Sequence, residues 1–177
     1  MIGGEMRWPA RVDGERASLV AVRTDAIEAD WLAEAGQAVA GRGVPCPLQG
    51  RLDEGDTAYW IRAGVESSRM VGALSGQLVD LEDVTVLVWT WLAVAAEWRH
   101  YGYGGASVPL FERAASECGA ASALVPLPPD NGVALYFWLR LGYVPQRESG
   151  LEQSNLPTGV APSALWMRRS LSNADGR

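Results

Sequence analysis

The sequence contains no lysine; all fifteen basic residues are arginine. That excludes a Walker-type phosphate loop, which needs its lysine. The bias reads as a genomic base-composition effect, because Arg and Lys differ too much for a fold to require total exclusion. Histidine is nearly absent too. His100 stands alone, so a Ser-His-Asp triad or a multi-histidine metal site would have to be built around one residue, and no metal is expected. The two cysteines, Cys46 and Cys118, form no spacing pattern of a disulfide or metal site. Cys46 lies between Pro45 and Pro47, and Cys118 falls on the apolar side of an expected helix, where packing suffices. A basic excess is missing as well. The net charge of −6 argues against nucleic acid as a partner and mildly favours cationic or neutral small molecules. No apolar run is long: Val84 to Ala96, bounded by Asp83 and Glu97, is too short to span a bilayer. The start, Met1-Ile2-Gly3-Gly4-Glu5, has neither the basic nor the apolar segment of a signal peptide. The expectation is a soluble cytoplasmic protein without a membrane partner.

What is present is ordinary globular composition, 48% apolar with eight Trp, in 177 residues. One domain over 1–177, with one core, accounts for that length. Residues 1–16 read as a loose lead-in with room for a short strand. Ala17–Arg23 reads as a strand, followed by a helix capped by Thr24 or Asp25, with Glu28 completing a capping box from Asp25. Ile27, Trp31, Leu32, Ala35 and Val39 recur at helical spacing before Gly41 and Gly43. Val44–Gly55 is rich in Pro and Gly and reads as loop. Thr57–Ala63 and Met70–Val79 form a hairpin pattern around Glu66-Ser67-Ser68. Asp80–Asp83 leads into Val84–Val94, whose Val and Trp content marks a central buried strand. A glycine-containing loop and a helix from about Tyr103 to Glu117 come next, with an unusual interior Pro109. A strand Ala121–Leu127 precedes a helix capped by Asp130 or Asn131 and closed by Gly142. Tyr143–Arg147 and Ala164–Leu171 are the last strand patterns, separated by 148–162, which reads as a mobile loop. The order β-α, meander, β-α-β-α-β-β predicts an α/β (α+β) mixed sheet with helices on both faces.

The loop Arg99-His100-Tyr101-Gly102-Tyr103-Gly104-Gly105 stands between the buried strand and a helix. A helix N-terminus carries unpaired N–H groups and partial positive charge. Glycines let backbone approach a phosphate closely. The dipole itself contributes only about 0.3–2 kcal/mol, so N–H bonds and Arg99 must supply the rest. The pattern suits a pyrophosphate, although a tight strand-to-helix connection would need glycines too. A Rossmann reading fails on strand order.

Leu92-Ala93-Val94-Ala95-Ala96-Glu97-Trp98-Arg99-His100-Tyr101-Gly102-Tyr103-Gly104-Gly105-Ala106 resembles the coenzyme-binding motif of the GNAT superfamily of N-acetyltransferases. Asn131-Gly132-Val133-Ala134-Leu135-Tyr136-Phe137-Trp138-Leu139-Arg140-Leu141-Gly142-Tyr143 resembles that family's second motif. The likeness is sharp over 84–145 and topological elsewhere. It implies a mostly antiparallel, GNAT-like sheet of six to seven strands, with a β4–β5 splay in the family's strand count that receives the pantetheine arm of acetyl-CoA or another acyl-CoA. It also implies that backbone of Leu92, Ala93 and Val94 pairs with that arm, that N–H groups from His100 to Gly105 hold the pyrophosphate with Arg99, and that Asn131 and Trp138 flank the arm. Asn131 is equally explained as a helix cap, and Leu92 and Val94 as core residues.

The resemblance implies direct attack of an amine on a thioester, with a small-molecule amine as acceptor and a homodimer left open. A non-catalytic acyl-CoA-binding module is the alternative. The proton-transfer residues of the family are missing. The strand Val84–Val94 offers only Thr85 and Thr90 as polar residues. The next strand has Pro126 where some peptide-acetylating members carry Glu, and the family's thiolate-protonating Tyr aligns with Trp138. Deprotonating an amine of pKa about 10.4 at pH 7 costs roughly 4.6 kcal/mol, whereas orientation is worth about 7–11 kcal/mol. A transferase without a dedicated base is therefore feasible. The substitute candidates are Asp80, Glu82 and Asp83 as bases and Tyr136 as an off-register acid; each is also explained as a solvated or packed residue. Trp89, Trp91, Trp98 and Trp138 suit either core packing or an aromatic acceptor pocket.

Overall fold

A computed structural model describes residues 8–22, 56–66, 69–81, 83–146 and 163–171. Eight strands form one sheet: β1 (Arg11–Asp13), β2 (Ala17–Ala21), β3 (Asp56–Ala63), β4 (Met70–Leu81), β5 (Val84–Val94), β6 (Ser122–Leu127), β7 (Val144–Pro145) and β8 (Leu165–Ser170). Their spatial order is β1-β2-β3-β4-β5-β6-β8-β7. Only the β5–β6 pair is parallel; all other neighbours are antiparallel. Two α-helices, α1 (Tyr103–Glu117) and α2 (Gly132–Arg140), follow β5 and β6, and a 3₁₀ turn (Ala96–Trp98) leads into the glycine loop.

The sheet has eight strands rather than the six to seven expected. The additional strand is β1 within the lead-in, where Val12 is buried between exposed Arg11 and Asp13. Three residues are too few for alternation to declare itself in sequence. At the other end, the strand expected over Tyr143–Arg147 shortens to Val144–Pro145. The helix expected from Asp25, the loop Val44–Gly55, Glu82 and the segment 148–162 lie outside the described residues.

The hairpin β4–β5 is the backbone of the molecule. Leu81 pairs with Val84, and Asp83 turns the chain at φ 66°, a conformation short polar side chains tolerate. The main core gathers on one face, with Leu87 and Trp89 of β5 under Val108, Phe111 and Ala115 of α1 and Trp138 of α2. Both described helices therefore pack into the same cluster. Val86, Val88 and Leu124 point to the opposite face, with Val79, Leu81 and Trp166 around them. Phe111 is the aromatic hub: its ring stacks on Trp8 at 5.0 Å and meets Trp89 edge-on at 4.9 Å. α1 stays continuous through Pro109. A proline there cannot donate to the carbonyl four residues back, which is Gly105, in the helix's first turn.

The parallel pair is short. Val86, Leu87 and Val88 pair with Ser122, Ala123 and Leu124, after which the two strands no longer pair with each other. β5 runs on to Val94 and β6 to Leu127, so the sheet opens beyond Val88. A bulge between β4 and β5 falls just there: Ser75 is opposite Trp91 and Gly76 opposite Trp89, which leaves Thr90 without a β4 partner.

Candidate functional site

The opening between β5 and β6 is a cavity of about 550 Å³, within the size range of cofactor pockets. One wall is Trp89-Thr90-Trp91-Leu92-Ala93-Val94 and the other Val125-Pro126-Leu127-Pro128; Asp130, Asn131, Val133, Ala134, Phe137 and Trp138 close it from α2. Arg99 and Gly104 stand at its glycine-loop end. Leu92, Ala93, Val94, Arg99, Gly104, Asn131 and Trp138, widely separated in sequence, thus share one cavity.

His100 and Gly102 both take positive φ, 69° and 84°. Gly102 is the N-cap of α1, no side chain caps the helix, and its first turn holds no acid. Ala106 N–H bonds the Gly102 carbonyl, so the N–H groups of Tyr103, Gly104 and Gly105 precede the helix's own ladder. A Cβ on Gly102 would lie 2.7 Å from Arg16 Nη1, so this glycine serves the fold. Gly105 differs: a Cβ there would meet nothing among the described residues within 4 Å, and its φ is not positive. Neither protein packing nor backbone strain demands glycine at that position. Its place in the uncapped first turn fits a group approaching from outside the chain.

Arginines frame the loop. Arg99 Nε donates to the Val94 carbonyl at 3.0 Å, fixing the guanidinium to the end of β5. Arg16, from the β1–β2 turn, donates to the Tyr101 carbonyl at 3.3 Å. Arg69 lies over the Trp98 ring, which also contacts Tyr101 and Tyr103. Arg16 has no sequence signal that would connect it to a loop 85 residues away.

On α2, Asn131 Oδ1 accepts from Ala134 N–H at 3.1 Å and is the N-cap. It lines the cavity as well, so the capping and flanking readings hold together. Trp138 is buried, with ring contacts to Trp89 at 5.2 Å and Tyr143 at 4.8 Å. Its indole can donate but not accept. Behind it lies a buried chain: Trp89 Nε1 donates to Tyr143 Oη at 2.8 Å, and Tyr143 donates to Glu112 Oε1 at 2.6 Å. Arg169 Nη1 reaches Glu112 Oε2 at 3.0 Å. Burial raises the Glu112 carboxyl above the usual glutamate range, partly offset by the Tyr143 hydrogen bond and Arg169. Burial, reinforced by Glu112, pushes the Tyr143 phenol far up. Only Trp89 of this network lines the cavity; Tyr143, Glu112 and Arg169 stand behind its wall.

The described proton-transfer candidates, Asp80, Asp83 and Tyr136, do not line the cavity. Asp83 sits in the β4–β5 turn, at the opposite end of β5 from the glycine loop. Asp80 accepts from Thr85 Oγ1 at 2.7 Å near the same turn. Tyr136 is 64% exposed, under the Arg140 guanidinium, and does not line the cavity. Helical spacing explains this: Asn131, Ala134 and Trp138 share one side of α2, and Tyr136 points away. The side-chain functions that do line it are the Thr90 hydroxyl, Arg99, the Asp130 carboxylate, Asn131 and the tryptophan indoles. Among the tryptophans, Trp89, Trp91 and Trp138 line the cavity, while Trp98 lies outside with Arg69.

Among the described residues, no group of three or more His, Cys, Asp or Glu is placed to hold a metal, and no helix is long and apolar enough to cross a membrane. Cys118, a free thiol, is buried at the end of α1.

The sequence matches no family model and no curated protein. Solved structures do match the fold. An acetyltransferase of the GNAT family from Staphylococcus aureus superposes with a TM-score of 0.62 at 13% identity, covering 88% of this chain and 99% of that one. An acetyltransferase from Thermus thermophilus gives 0.59 at 17% identity, over 88% and 97%. An aminoglycoside 6′-N-acetyltransferase complexed with coenzyme A gives 0.61 at 13% identity, also over 88% and 97%. The chain has the GNAT fold.

Proposed function

We propose that this GNAT-fold chain is an acyl-CoA-dependent N-acyltransferase that moves an acetyl group from acetyl-CoA to the amine of a small molecule. The observation that carries the reading is one continuous site. The β5–β6 opening accepts an extended arm, and at its end the uncapped turn Gly102–Gly105, with Arg99, meets a diphosphate. The solved neighbour bound to coenzyme A supports the same choice of ligand.

When bound, the coenzyme supplies the thioester that activates the acyl group. The chain's residues do the rest. N–H groups of His100 to Gly105 and Arg99 hold the phosphates, and Leu92, Ala93 and Val94 offer the arm a strand edge that β6 leaves open. Asn131 and Trp138 close the side, and the tryptophan-lined walls exclude water. Holding amine and thioester together contributes about 7–11 kcal/mol, more than the roughly 4.6 kcal/mol needed to deprotonate an ordinary amine.

Isothermal calorimetry with acetyl-CoA, followed by thiol release against a panel of amines, tests the reading. Binding with turnover is expected, and no coenzyme binding would sink it. The second reading, a non-catalytic acyl-CoA-binding module, is favoured by one observation: the cavity has Trp138 and Pro126 where the family's acid and base would stand. Tight binding without turnover on any amine would establish it.

A further inference from the structure

Among the described residues, Thr90 is the one side-chain hydroxyl in the cavity wall, and it sits where the sheet is most interrupted. The β4–β5 bulge leaves it without a partner in β4, and β6 has already parted from β5 at Val88. Its hydroxyl is nevertheless fixed: Ser75 Oγ and Thr90 Oγ1 are 2.7 Å apart. Ser75 is fully buried, and Thr90 is its side-chain hydrogen-bond partner. A buried hydroxyl proton without an acceptor is costly. Either hydroxyl can be the donor of this pair; the full burial of Ser75 favours Ser75 as donor, which leaves the Thr90 proton to donate elsewhere. Thr90 is half-buried, on the cavity. Along the rest of that wall, Leu92 and Ala93 present hydrocarbon, Trp89 has its indole N–H engaged by Tyr143, and the Trp91 indole N–H is buried.

We infer that Thr90 is a positioning residue whose hydroxyl, oriented by Ser75, donates a hydrogen bond to the carbonyl oxygen of the bound thioester. This rests on the acyl-CoA reading above. The bond orients the acyl group for attack and strengthens as negative charge gathers on that oxygen. No proton is transferred, so a threonine hydroxyl is acidic enough for the role. It also gives this chain a polar contact at the reacting carbonyl that does not depend on the missing Tyr or Glu.

The test compares two ligands that differ only in the acetyl group carrying that carbonyl. Calorimetry of wild type, Thr90→Val, Thr90→Ser and Ser75→Ala is run with acetyl-CoA and with free coenzyme A. Thr90→Val is expected to weaken acetyl-CoA about three- to tenfold, the range of one hydrogen bond, and to leave coenzyme A within about twofold. Thr90→Ser retains wild-type binding. Ser75→Ala, which removes the orienting donor, weakens acetyl-CoA partially and coenzyme A not at all. Equal losses for both ligands, or no loss for either, overturn the inference. Should Thr90→Val fail to fold by circular dichroism, Thr90→Ala and Ser75→Ala carry the same comparison. If wild type binds neither ligand, the acyl-CoA reading falls instead.

Discussion

Gly105 separates two reasons for a glycine. At Gly102 the backbone φ is 84° and Arg16 occupies the space of a Cβ, so the fold itself needs glycine. At Gly105 nothing among the described residues does. Gly105→Ala is therefore expected to leave folding intact or to stabilise it by about 0.5–1 kcal/mol, the usual helix gain over glycine. The same methyl would stand where the phosphates approach and weaken acetyl-CoA at least tenfold. Thermal melts and calorimetry on the one variant check both halves; unchanged affinity would show that the turn cradles nothing. Glu112 offers a second residue-level prediction. Its folded-state pKa is raised by burial, so its contribution to stability is greatest below the ordinary glutamate pKa of about 4.3. That contribution is lost as pH rises through the folded value. Glu112→Gln keeps an acceptor for Tyr143 but cannot ionise. Denaturant unfolding across pH 4–8 should show the variant gaining on wild type as pH rises, less whatever Arg169 returns to the ionised form. A difference independent of pH would contradict this.

At the scale of elements, Pro109 is the clearest local conflict. It removes the donor for the Gly105 carbonyl within α1, yet the helix passes through without a break, and Pro109 is exposed. Pro109→Ala restores the bond and is expected to stabilise the protein by about 1–3 kcal/mol in chemical denaturation. No gain would mean that the first turn is held open by other contacts. Elements with strong internal signals were legible in sequence. Val84–Val94 and Tyr103–Glu117 lie where β-branched content and apolar spacing put them, and the N-cap at Asn131 resolves a stated choice with Asp130. Signals involving a second element were not legible. The three-residue β1 exists because Val12 finds a pocket. Tyr136 lies outside the cavity lining, because sequence proximity to Trp138 says nothing about which side of α2 faces the cavity. Thr90 was visible as an odd polar residue in a buried strand. Its pairing with Ser75 depends on a bulge that no residue pattern announces.

For the whole molecule, the cavity is a seam. β1 to β5 form one continuous antiparallel block, and β6, β8 and β7 form another. In the sheet they are joined through Val86–Val88 against Ser122–Leu124; α1 and the network from Trp89 through Tyr143 to Glu112 and Arg169 tie them from one face. A ligand pairing with β5 on one side and touching β6 and α2 on the other would bridge both blocks. At one hundred times its Kd, such a ligand stabilises the native state by about 2.7 kcal/mol, a rise in Tm of about 5–11 °C for a chain of this size. The distribution of that gain is the sharper prediction. Hydrogen exchange with and without acetyl-CoA should show added protection at three places together: the loop 100–105, the end of β5 from Trp89 to Val94 on the side that β6 leaves open, and the start of α2. The β1–β2 edge should change little, because it already lies inside one block. Protection confined to the loop would mean that the phosphates alone are held and the arm lies outside the opening, which would remove the basis for a thioester at Thr90.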